Sequence, residues 1–300
     1  MISWRYHLIS IVAVFLALGL GLLMGTALLN DRLVENLRAR TESAQQRLDE
    51  QEERNSRLST FAQQVLPFVT EDRLLGQDVV IVTYQGADEG AVADARRALD
   101  SAGADLQAIL ALQQSLSADS ASEQRTLSEL LEIAAGATRE TIVSAATAAL
   151  AERLAAGPVP GPAEEDLLGK LLSEGFVVAV DPELDTTTGI GGTDQAMVFV
   201  AGSTADGAPD VADAFMPLID EIIQRGAVLV VGERTTSATG VVTSIRENAD
   251  VVGPLVTVDD IDLPEGAAAL VLGLERAIAT GQGGDYGFGQ GAQQMLPAAA

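Results

Sequence analysis

The sequence of 300 residues combines a large excess of acidic residues with a complete lack of cysteine. It contains 43 acidic and 18 basic residues, which give a formal net charge of −25. Nucleic-acid binding depends on Lys and Arg contacts to phosphates, so a surface of this charge excludes nucleic acid as a partner. The lack of cysteine excludes disulfides, thiolate metal sites and a cysteine nucleophile.

A stretch of 22 residues without a charge, from Leu8 to Leu29, predicts a membrane-spanning helix. About 20 apolar residues in a helix suffice to cross the hydrocarbon core of a bilayer. A cleavable signal peptide is the alternative, because Gly25-Thr26-Ala27 has the small residues of a cleavage site. The length of the stretch favours an uncleaved anchor, and we assign residues 1–29 to an N-terminal tail and a transmembrane helix.

The basic residues around this span do not fix its orientation, because they flank it on both sides. Arg5 precedes the span, and Arg32, Arg38 and Arg40 follow it. A short N-terminal tail usually stays in the cytoplasm. We therefore expect a single-pass protein of the cell membrane whose soluble domain is extracytoplasmic.

Small residues recur at every fourth position of the predicted span, at Ala17, Gly21 and Gly25. This spacing places them on one helix face, where they let two helices approach closely, and it predicts transmembrane packing. The alternative is that glycine is simply common in membrane helices.

Residues 30–68 are strongly polar, with apolar residues at heptad spacing, and predict a coiled-coil stalk. The predicted seam at the a and d positions contains Val34, Leu37, Leu48, Asn55, Leu58, Ala62 and Val65. A buried Asn pair fixes register, so Asn55 indicates a parallel homodimer. The alternative is one amphipathic helix that lies on its own domain. Pro67 is predicted to end the helix.

Residues 77–280 alternate short apolar runs with helical segments, which is typical of a doubly wound (Rossmann-like) α/β domain with a mostly parallel sheet. The predicted strands are Val79–Val82, Leu106–Leu112, Phe176–Val180, Met197–Val200, Ala227–Val231 and Leu255–Val258. The predicted helices are Glu89–Ala102, Leu127–Leu154 with a break around Gly136, Glu164–Ser173, Val211–Arg225 and Gly266–Ala279. Residues 281–300 are rich in Gly and Gln and are predicted to be disordered.

The segment Gly189-Ile190-Gly191-Gly192 suggests a phosphate loop but does not match one. A dinucleotide fingerprint has three glycines between a strand and a helix, with an acidic residue about 20 positions later. Here the glycines precede a predicted strand and the third is missing. We therefore interpret the segment as an ordinary loop.

Two acidic groups follow predicted strands, where open α/β sheets often place ligand-binding residues. They are Asp181, Glu183 and Asp185, and Asp259, Asp260 and Asp262. Either group could hold a hard divalent cation or take part in acid–base chemistry. With 43 acidic residues, however, chance clusters are expected, and neither group has the spacing of a calcium loop. We predict no metal site and no cofactor.

The residue types that build triads and copper sites are scarce in this chain. His7 is the only histidine and lies at the edge of the predicted span, which excludes a Ser-His-Asp triad in the soluble domain. Copper favours thiolate, thioether and imidazole ligands, and the five methionines are scattered. We predict that the protein is not an enzyme and has no catalytic residues.

Four segments carry a resemblance to a known family. The most distinctive is the opening, Met1-Ile2-Ser3-Trp4-Arg5-Tyr6-His7-Leu8-Ile9-Ser10, which runs directly into the apolar span. The others are Gly232-Glu233 with Ser237 to Ser244, Val256-Thr257-Val258-Asp259-Asp260, and Gly284-Asp285-Tyr286-Gly287. Together these segments resemble the actinobacterial MctB family.

The resemblance implies two functions of different classes. The family is named for copper transport, which implies a role in copper efflux or homeostasis and a place in the outer envelope. Relatives called SteB imply a non-enzymatic scaffold or regulator of cell-wall remodelling and cell separation, acting through the stalk on a partner called SteA. One helix per chain cannot enclose a pore, and this layout suits a scaffold better. We nevertheless take the role in copper efflux or homeostasis, which the family name implies, as the first expectation and the scaffold as the alternative. A third possibility is that the α/β domain is an enzyme or a small-ligand receptor.

Overall fold

The computed structural model describes residues 4–158, 161–162, 165–181, 184, 189–202, 211–237, 240–247 and 254–298. Within residues 26–35 and 211–215 it describes the helical backbone alone. The chain divides into two units, residues 1–61 and residues 62–300.

A long first helix, α1, runs from Trp4 to Thr70. Its segment Trp4–Gly25, with a mean hydropathy of 2.6, is long and apolar enough to cross a membrane and is not buried by the rest of the chain. The prediction that Pro67 ends the helix was wrong. Proline has a helical φ and removes only its own N–H, while the Pro67 carbonyl still accepts from the Glu71 backbone N–H at 2.8 Å. The helix therefore continues for one turn.

The second unit is built on a sheet of seven strands in the order β3-β2-β1-β4-β5-β6-β7, as far as the described residues show. The strands are β1 (Asp78–Tyr84), β2 (Asp105–Leu112), β3 (Val177–Ala179), β4 (Ala196–Val200), β5 (Leu229–Gly232), β6 (Leu255–Val258) and β7 (Gly284–Tyr286). Edge strand β3 is antiparallel to β2, and every other neighbouring pair is parallel.

Helices cover both faces of this sheet. They are α2 (Glu89–Ser101), α3 (Ala121–Leu130), α4 (Arg139–Ala156), α5 (Leu167–Ser173), α6 (Val211–Gln224), α7 (Val241–Glu247) and α8 (Pro264–Thr280), with a 3₁₀ turn at Gln114–Ser117. Helices α2 and α8 pack on one face with Val79 and Ile81, and α3 to α7 pack on the other with Val80 and Val82. Because these strands are buried on both faces, their sequences are unbroken apolar runs. The predicted doubly wound, mostly parallel fold is confirmed.

The C-terminal residues differ from the prediction of a disordered segment. Gly284–Tyr286 form β7, which pairs with β6, and Tyr286 is 2% exposed in the core beneath α8. Glycine-rich composition is typical of disorder, but one large buried side chain and a strand pairing order these residues. The prediction was wrong for residues 281–298.

Helix α7 was also missed, because its sequence Val-Val-Thr-Ser-Ile-Arg-Glu is rich in β-branched residues that rank low as helix formers. Three of its apolar side chains, Val241, Val242 and Ile245, are buried against the sheet. Tertiary burial outweighs the weak local preference.

Candidate functional site

The carboxyl ends of the parallel strands meet at one edge of the sheet. The chain order changes direction between β1 and β4, which makes this the switch point of the fold. In open α/β sheets, ligands bind outside the carboxyl ends of the strands near such a point. Several groups of polar side chains lie along this edge.

The position at which nucleotide-binding folds hold a phosphate is occupied here by the protein's own charges. Asp88 caps α2, accepting from the Gly90 backbone N–H at 2.8 Å, and the Arg234 guanidinium lies 3.2 Å from the other Asp88 oxygen. Arg234 also lies 3.5 Å from Asp94. A Cβ at Gly90 would come within 2.7 Å of Arg234. The helix end therefore leaves no room for a phosphate group.

A buried carboxylate, Glu233, follows β5. It is 4% exposed and accepts hydrogen bonds from Ser237 and from the backbone of Val241 and Val242 at the start of α7. Burial raises the pKa of Glu233 above its usual range, and these hydrogen bonds partly oppose the rise. The contacts assign Glu233 to holding α7 in place.

A larger charged cluster, the Arg246 network, joins α7, β6 and the C-terminal segment. The Arg246 side chain is 1% exposed, pairs with Asp259, and donates to the Thr257 hydroxyl at 2.7 Å and to the Tyr286 carbonyl at 2.6 Å. The Thr257 hydroxyl in turn donates to Asp285 at 2.8 Å.

Asp259 also binds the chain after β7. It accepts from the backbone N–H groups of Phe288 at 2.9 Å and Gly289 at 2.8 Å. Every charge of the Arg246 network is therefore matched by another group of the chain, and the network fastens the C-terminal segment to the sheet.

The acidic group predicted after β6 is thereby divided among three separate environments. Asp259 belongs to the Arg246 network, and Asp262 accepts from the Thr235 backbone N–H and hydroxyl, both at 2.8 Å. Asp260 is 1% exposed, and its two carboxylate oxygens have no hydrogen-bond partner among the described residues. Burial, followed by the nearby charge of Asp259, raises the pKa of Asp260 to about 7.

The acidic group predicted after β3 does not lie at this edge. Because β3 is antiparallel, Asp181 lies at the opposite edge, where it pairs with Arg96 at 2.8 Å. Glu183 and Asp185 lie outside the described residues. The expectation of a ligand site here rested on a parallel strand, and the direction of β3 removes its basis.

The glycine segment before β4 is a loop, as predicted, and it packs against the end of α4. The Ile190 carbonyl accepts from Arg153 at 2.6 Å, and the Gly192 backbone N–H donates to the Leu154 carbonyl at 2.9 Å. Gly191 has a φ of +88°, and a Cβ there would come within 2.5 Å of the Leu154 carbonyl oxygen. Glycine is needed here for close packing.

A cavity lies over the carboxyl ends of β1 and β2, between α4 and α6. It has a volume of about 730 Å³. A second pocket of about 490 Å³ adjoins it and shares Gln85, Gln113 and Gln114 with it. We call these two pockets together the β1–β2 groove. Ligand pockets in proteins typically measure about 300–1,000 Å³, so the groove is large enough for a small organic ligand.

The lining of the β1–β2 groove combines apolar surface with uncharged hydrogen-bonding groups. The apolar walls include Leu112, Leu116, Val143, Leu150, Pro217 and Leu218. Its amides and hydroxyls include Gln85, Gln113, Gln114, Ser117, Ser144 and Thr147. None of these side chains was singled out by sequence analysis, because isolated Gln, Ser and Thr residues in loops and on helix surfaces carry no spacing signal. Only the fold brings them together.

The predicted seam residues of α1 fall into two environments. Leu37, Leu48 and Leu58 are 54%, 57% and 57% exposed, and Asn55 is also exposed. Ala62 and Val65 belong to the second unit and are half-buried. The side chain of Val34 is not among those that the structure describes. The coiled coil and the parallel homodimer stay predictions.

The predicted packing residues of the membrane span lie on an open helix surface. Ala17 is exposed, and a Cβ added at Gly21 or Gly25 would meet no atom within 4 Å. A second helix could therefore approach this face closely, and the packing of two spans also stays a prediction.

No metal site is evident in the part of the chain that the structure describes. It contains no group of three or more His, Cys, Asp or Glu side chains placed to hold a metal ion. The charged side chains at the sheet edge bind one another, and the β1–β2 groove offers amide and hydroxyl groups, which are poor copper ligands.

These features define an α/β protein with a doubly wound domain and a candidate membrane-spanning helix at its N-terminus. The chain belongs to the MctB family: it matches the family described as "Copper transport outer membrane protein, MctB" over residues 1–297. It is similar to proteins named Copper transporter MctB from Mycobacterium tuberculosis and Mycobacterium bovis, with 27% identity over 98% of this chain and 99% of each relative. The protein of that name from Mycobacterium leprae is 27% identical over the same shares.

Proposed function

We propose that this protein is a membrane-anchored component of the cell envelope that contributes to copper handling, without a resident copper site and without enzymatic activity. The match to the MctB family over residues 1–297 supports this role, since relatives that align over almost their whole length bear the name of a copper transporter. The apolar segment Trp4–Gly25 supplies a suitable anchor.

The chemistry of the described residues supports a role that does not depend on stored copper. The chain has no cysteine and one histidine, and its five methionines are scattered along the sequence, so the ligands that copper prefers are few and not grouped in sequence. Copper would therefore be handled by an assembly in which this chain takes part, with the metal as transported substrate.

Copper content of cells tests this function directly. A strain that lacks the gene, grown with added copper, should accumulate more copper than the parent strain, and the intact gene should restore the parental level. A gene that encodes residues 30–300 alone should not restore it, because that chain lacks the anchor. An unchanged copper content in the deletion strain would contradict the copper role.

The proposed topology places the second unit outside the cytoplasm, and the lack of cysteine makes this easy to test. Ser122 is exposed on α3, so the S122C variant carries one reactive thiol in the whole chain. A membrane-impermeant maleimide should label this variant in spheroplasts as fully as in lysed cells. Labelling that occurs only after lysis would place the second unit in the cytoplasm and contradict the proposed topology.

A second function, a coiled-coil scaffold that acts on a SteA-like partner in cell separation, is favoured by the exposed apolar seam. Leu37, Leu48 and Leu58 each expose more than half of their surface, and burying such side chains in a parallel dimer or against a partner is favourable.

Two double variants test the scaffold. Leu48→Asp with Leu58→Asp places charges in the seam, whereas Ser43→Asp with Ser56→Asp adds the same charge at exposed positions outside it. Crosslinking of the full chain in detergent should show dimers for the natural sequence and for the serine control, and monomers for the leucine variant. A co-produced SteA-like protein should be retained by the same two dimeric forms. Equal behaviour of the two double variants would contradict the scaffold.

A further inference from the structure

The β1–β2 groove has the shape of a site for an extended ligand. Its two pockets, of about 730 and 490 Å³, meet at Gln85, Gln113 and Gln114, so that three amide side chains lie at the junction. Strands β1 and β2 both lie inside the sheet, with neighbours on each side. A peptide therefore cannot bind here by adding a strand, which is a common mode of peptide recognition.

The hydrogen-bonding groups at this junction can both donate and accept. Gln85 uses its carbonyl oxygen to accept from the Gln114 backbone N–H at 3.2 Å, and Gln113 uses its NH₂ group to donate to the Ala111 carbonyl at 3.0 Å. These bonds use the Gln85 oxygen and one N–H of Gln113, so each amide keeps further hydrogen-bonding capacity in its other polar group. The hydroxyl of Ser115, which lines the second pocket, is buried without a hydrogen-bond partner among the described residues.

Five charged residues also line the groove, and four of them are acidic: Arg139, Glu140, Glu221, Asp119 and Glu123. Arg139 pairs with Asp119 at 2.7 Å, and Glu221 pairs with Arg225 at 2.6 Å. Glu123 accepts from the Ser120 backbone N–H at 2.8 Å in a capping box. With a net charge of −25 on the whole chain, an anionic ligand would be repelled.

An apolar ligand also fits poorly, because it would cover amides and hydroxyls without replacing their hydrogen bonds to water. A sugar meets both requirements, since each of its hydroxyl groups donates and accepts and its C–H faces pack on apolar walls such as Leu116 and Val143. We propose that the β1–β2 groove binds a neutral carbohydrate of at least two rings. This binding site is independent of the proposed role in copper handling.

Saturation-transfer difference NMR on the full chain tests this site, with maltose and N,N′-diacetylchitobiose as probes. The detergent should carry no sugar head group. We expect saturation transfer to at least one of these disaccharides, and no transfer to glucose 6-phosphate or to the peptide Gly-Ser-Gly with an acetylated N-terminus and an amidated C-terminus, which carries no charge. Transfer to the phosphate or the peptide equal to that for both sugars would overturn the assignment to carbohydrate.

Two groove variants and two matched controls locate the binding. Gln114→Ala removes an exposed amide at the junction, and Ser144→Leu places a larger side chain in the first pocket. Each should weaken binding at least about tenfold, which corresponds to about 1.4 kcal/mol. Gln282→Ala and Ser101→Leu make the same changes at exposed positions outside the groove and should bind as the natural protein does.

Two results would overturn the proposal. One is the absence of saturation transfer to both disaccharides at 10 mM, a concentration that is roughly the weak limit of specific recognition. Near-ultraviolet circular dichroism of the same sample must show a folded domain. The other is unchanged transfer in both groove variants. Because none of these measurements involves copper, their failure leaves the copper experiment unaffected, and the reverse also holds.

Discussion

The β1–β2 groove and the Arg246 network lie at the same carboxyl edge of one sheet, but the first is open and presents amides and hydroxyls beside apolar walls, whereas the second is filled by paired charges. In the network, Arg246 is 1% exposed and is matched by Asp259, Thr257 and the Tyr286 carbonyl. In the groove, amides and hydroxyls border an open volume of about 730 Å³.

The difference shows how one edge of a fold can serve two purposes. Buried charges must be satisfied within the protein, because an unmatched charge away from water is very costly, and satisfied charges hold segments together. Uncharged polar groups beside an open volume cost little when hydrated and remain available for a ligand. Stability should therefore depend on the network, and binding should depend on the groove.

Removing Arg246 should have the largest effect on stability. Arg246→Ala leaves Asp259 buried without its cation, and breaking a buried pair in this way typically costs about 3–5 kcal/mol. We expect a lower unfolding midpoint in the near-ultraviolet circular dichroism of the full chain, together with faster hydrogen exchange at residues 284–294. Arg97→Ala, which removes a 74% exposed arginine paired with Asp94, should change stability by less than about 1 kcal/mol. Equal effects of the two substitutions would contradict the structural role of the network.

Asp260 should make the protein less stable as the pH rises. Its pKa is about 7 in the folded state against 3.8 ordinarily, so the folded protein binds more protons than the unfolded chain between these values. The free energy of unfolding therefore falls as the pH increases through this window, and it levels off above the folded pKa.

The Asp260→Asn variant isolates this effect, because asparagine has a similar shape and does not ionise. Its free energy of unfolding should match that of the natural protein near pH 4 and exceed it by about 2–4 kcal/mol at pH 8. Denaturant titrations at both pH values measure this difference. A constant difference across the range would show that folding does not raise the pKa of Asp260.

The capping box at the start of α3 should contribute a smaller amount. Ser120 borders the second pocket of the groove and exchanges hydrogen bonds with Glu123. Ser120→Ala should cost about 1 kcal/mol, as is usual for the loss of an N-cap hydroxyl. Ser101→Ala changes an exposed serine at the end of α2, away from this cap, and its unfolding midpoint should stay close to that of the natural protein.

Substitution inside the groove should have the smallest effect on stability. Ser144 is exposed on α4, and Ser144→Leu should change the free energy of unfolding by no more than about 0.5 kcal/mol. A thermal melt of the full chain checks this value. A loss as large as that of Arg246→Ala would show that the groove, like the network, is part of the packing.

The apolar strands were predictable because burial on both faces leaves a direct mark on the sequence. Val79–Val82, Met197–Val200 and Leu255–Val258 were all predicted and lie within β1, β4 and β6. The direction of β3 was not predictable, since an apolar run has the same appearance whether its neighbour is parallel or antiparallel. Helix α7 was hidden because its buried valines favour strands by local preference.

The sequence alone determined the long apolar helix, the polar heptad segment, the doubly wound fold class and the family, because these depend on periodicity, length and motif order along the chain. Tertiary structure decided which charges are buried and which polar groups face an open volume. Arg246 and Asp285, and likewise Gln85 and Ser144, are far apart in sequence and become neighbours only through the sheet. The roles of these residues follow from their burial and from the residues that contact them in the folded protein, and neither leaves a pattern in the nearby sequence.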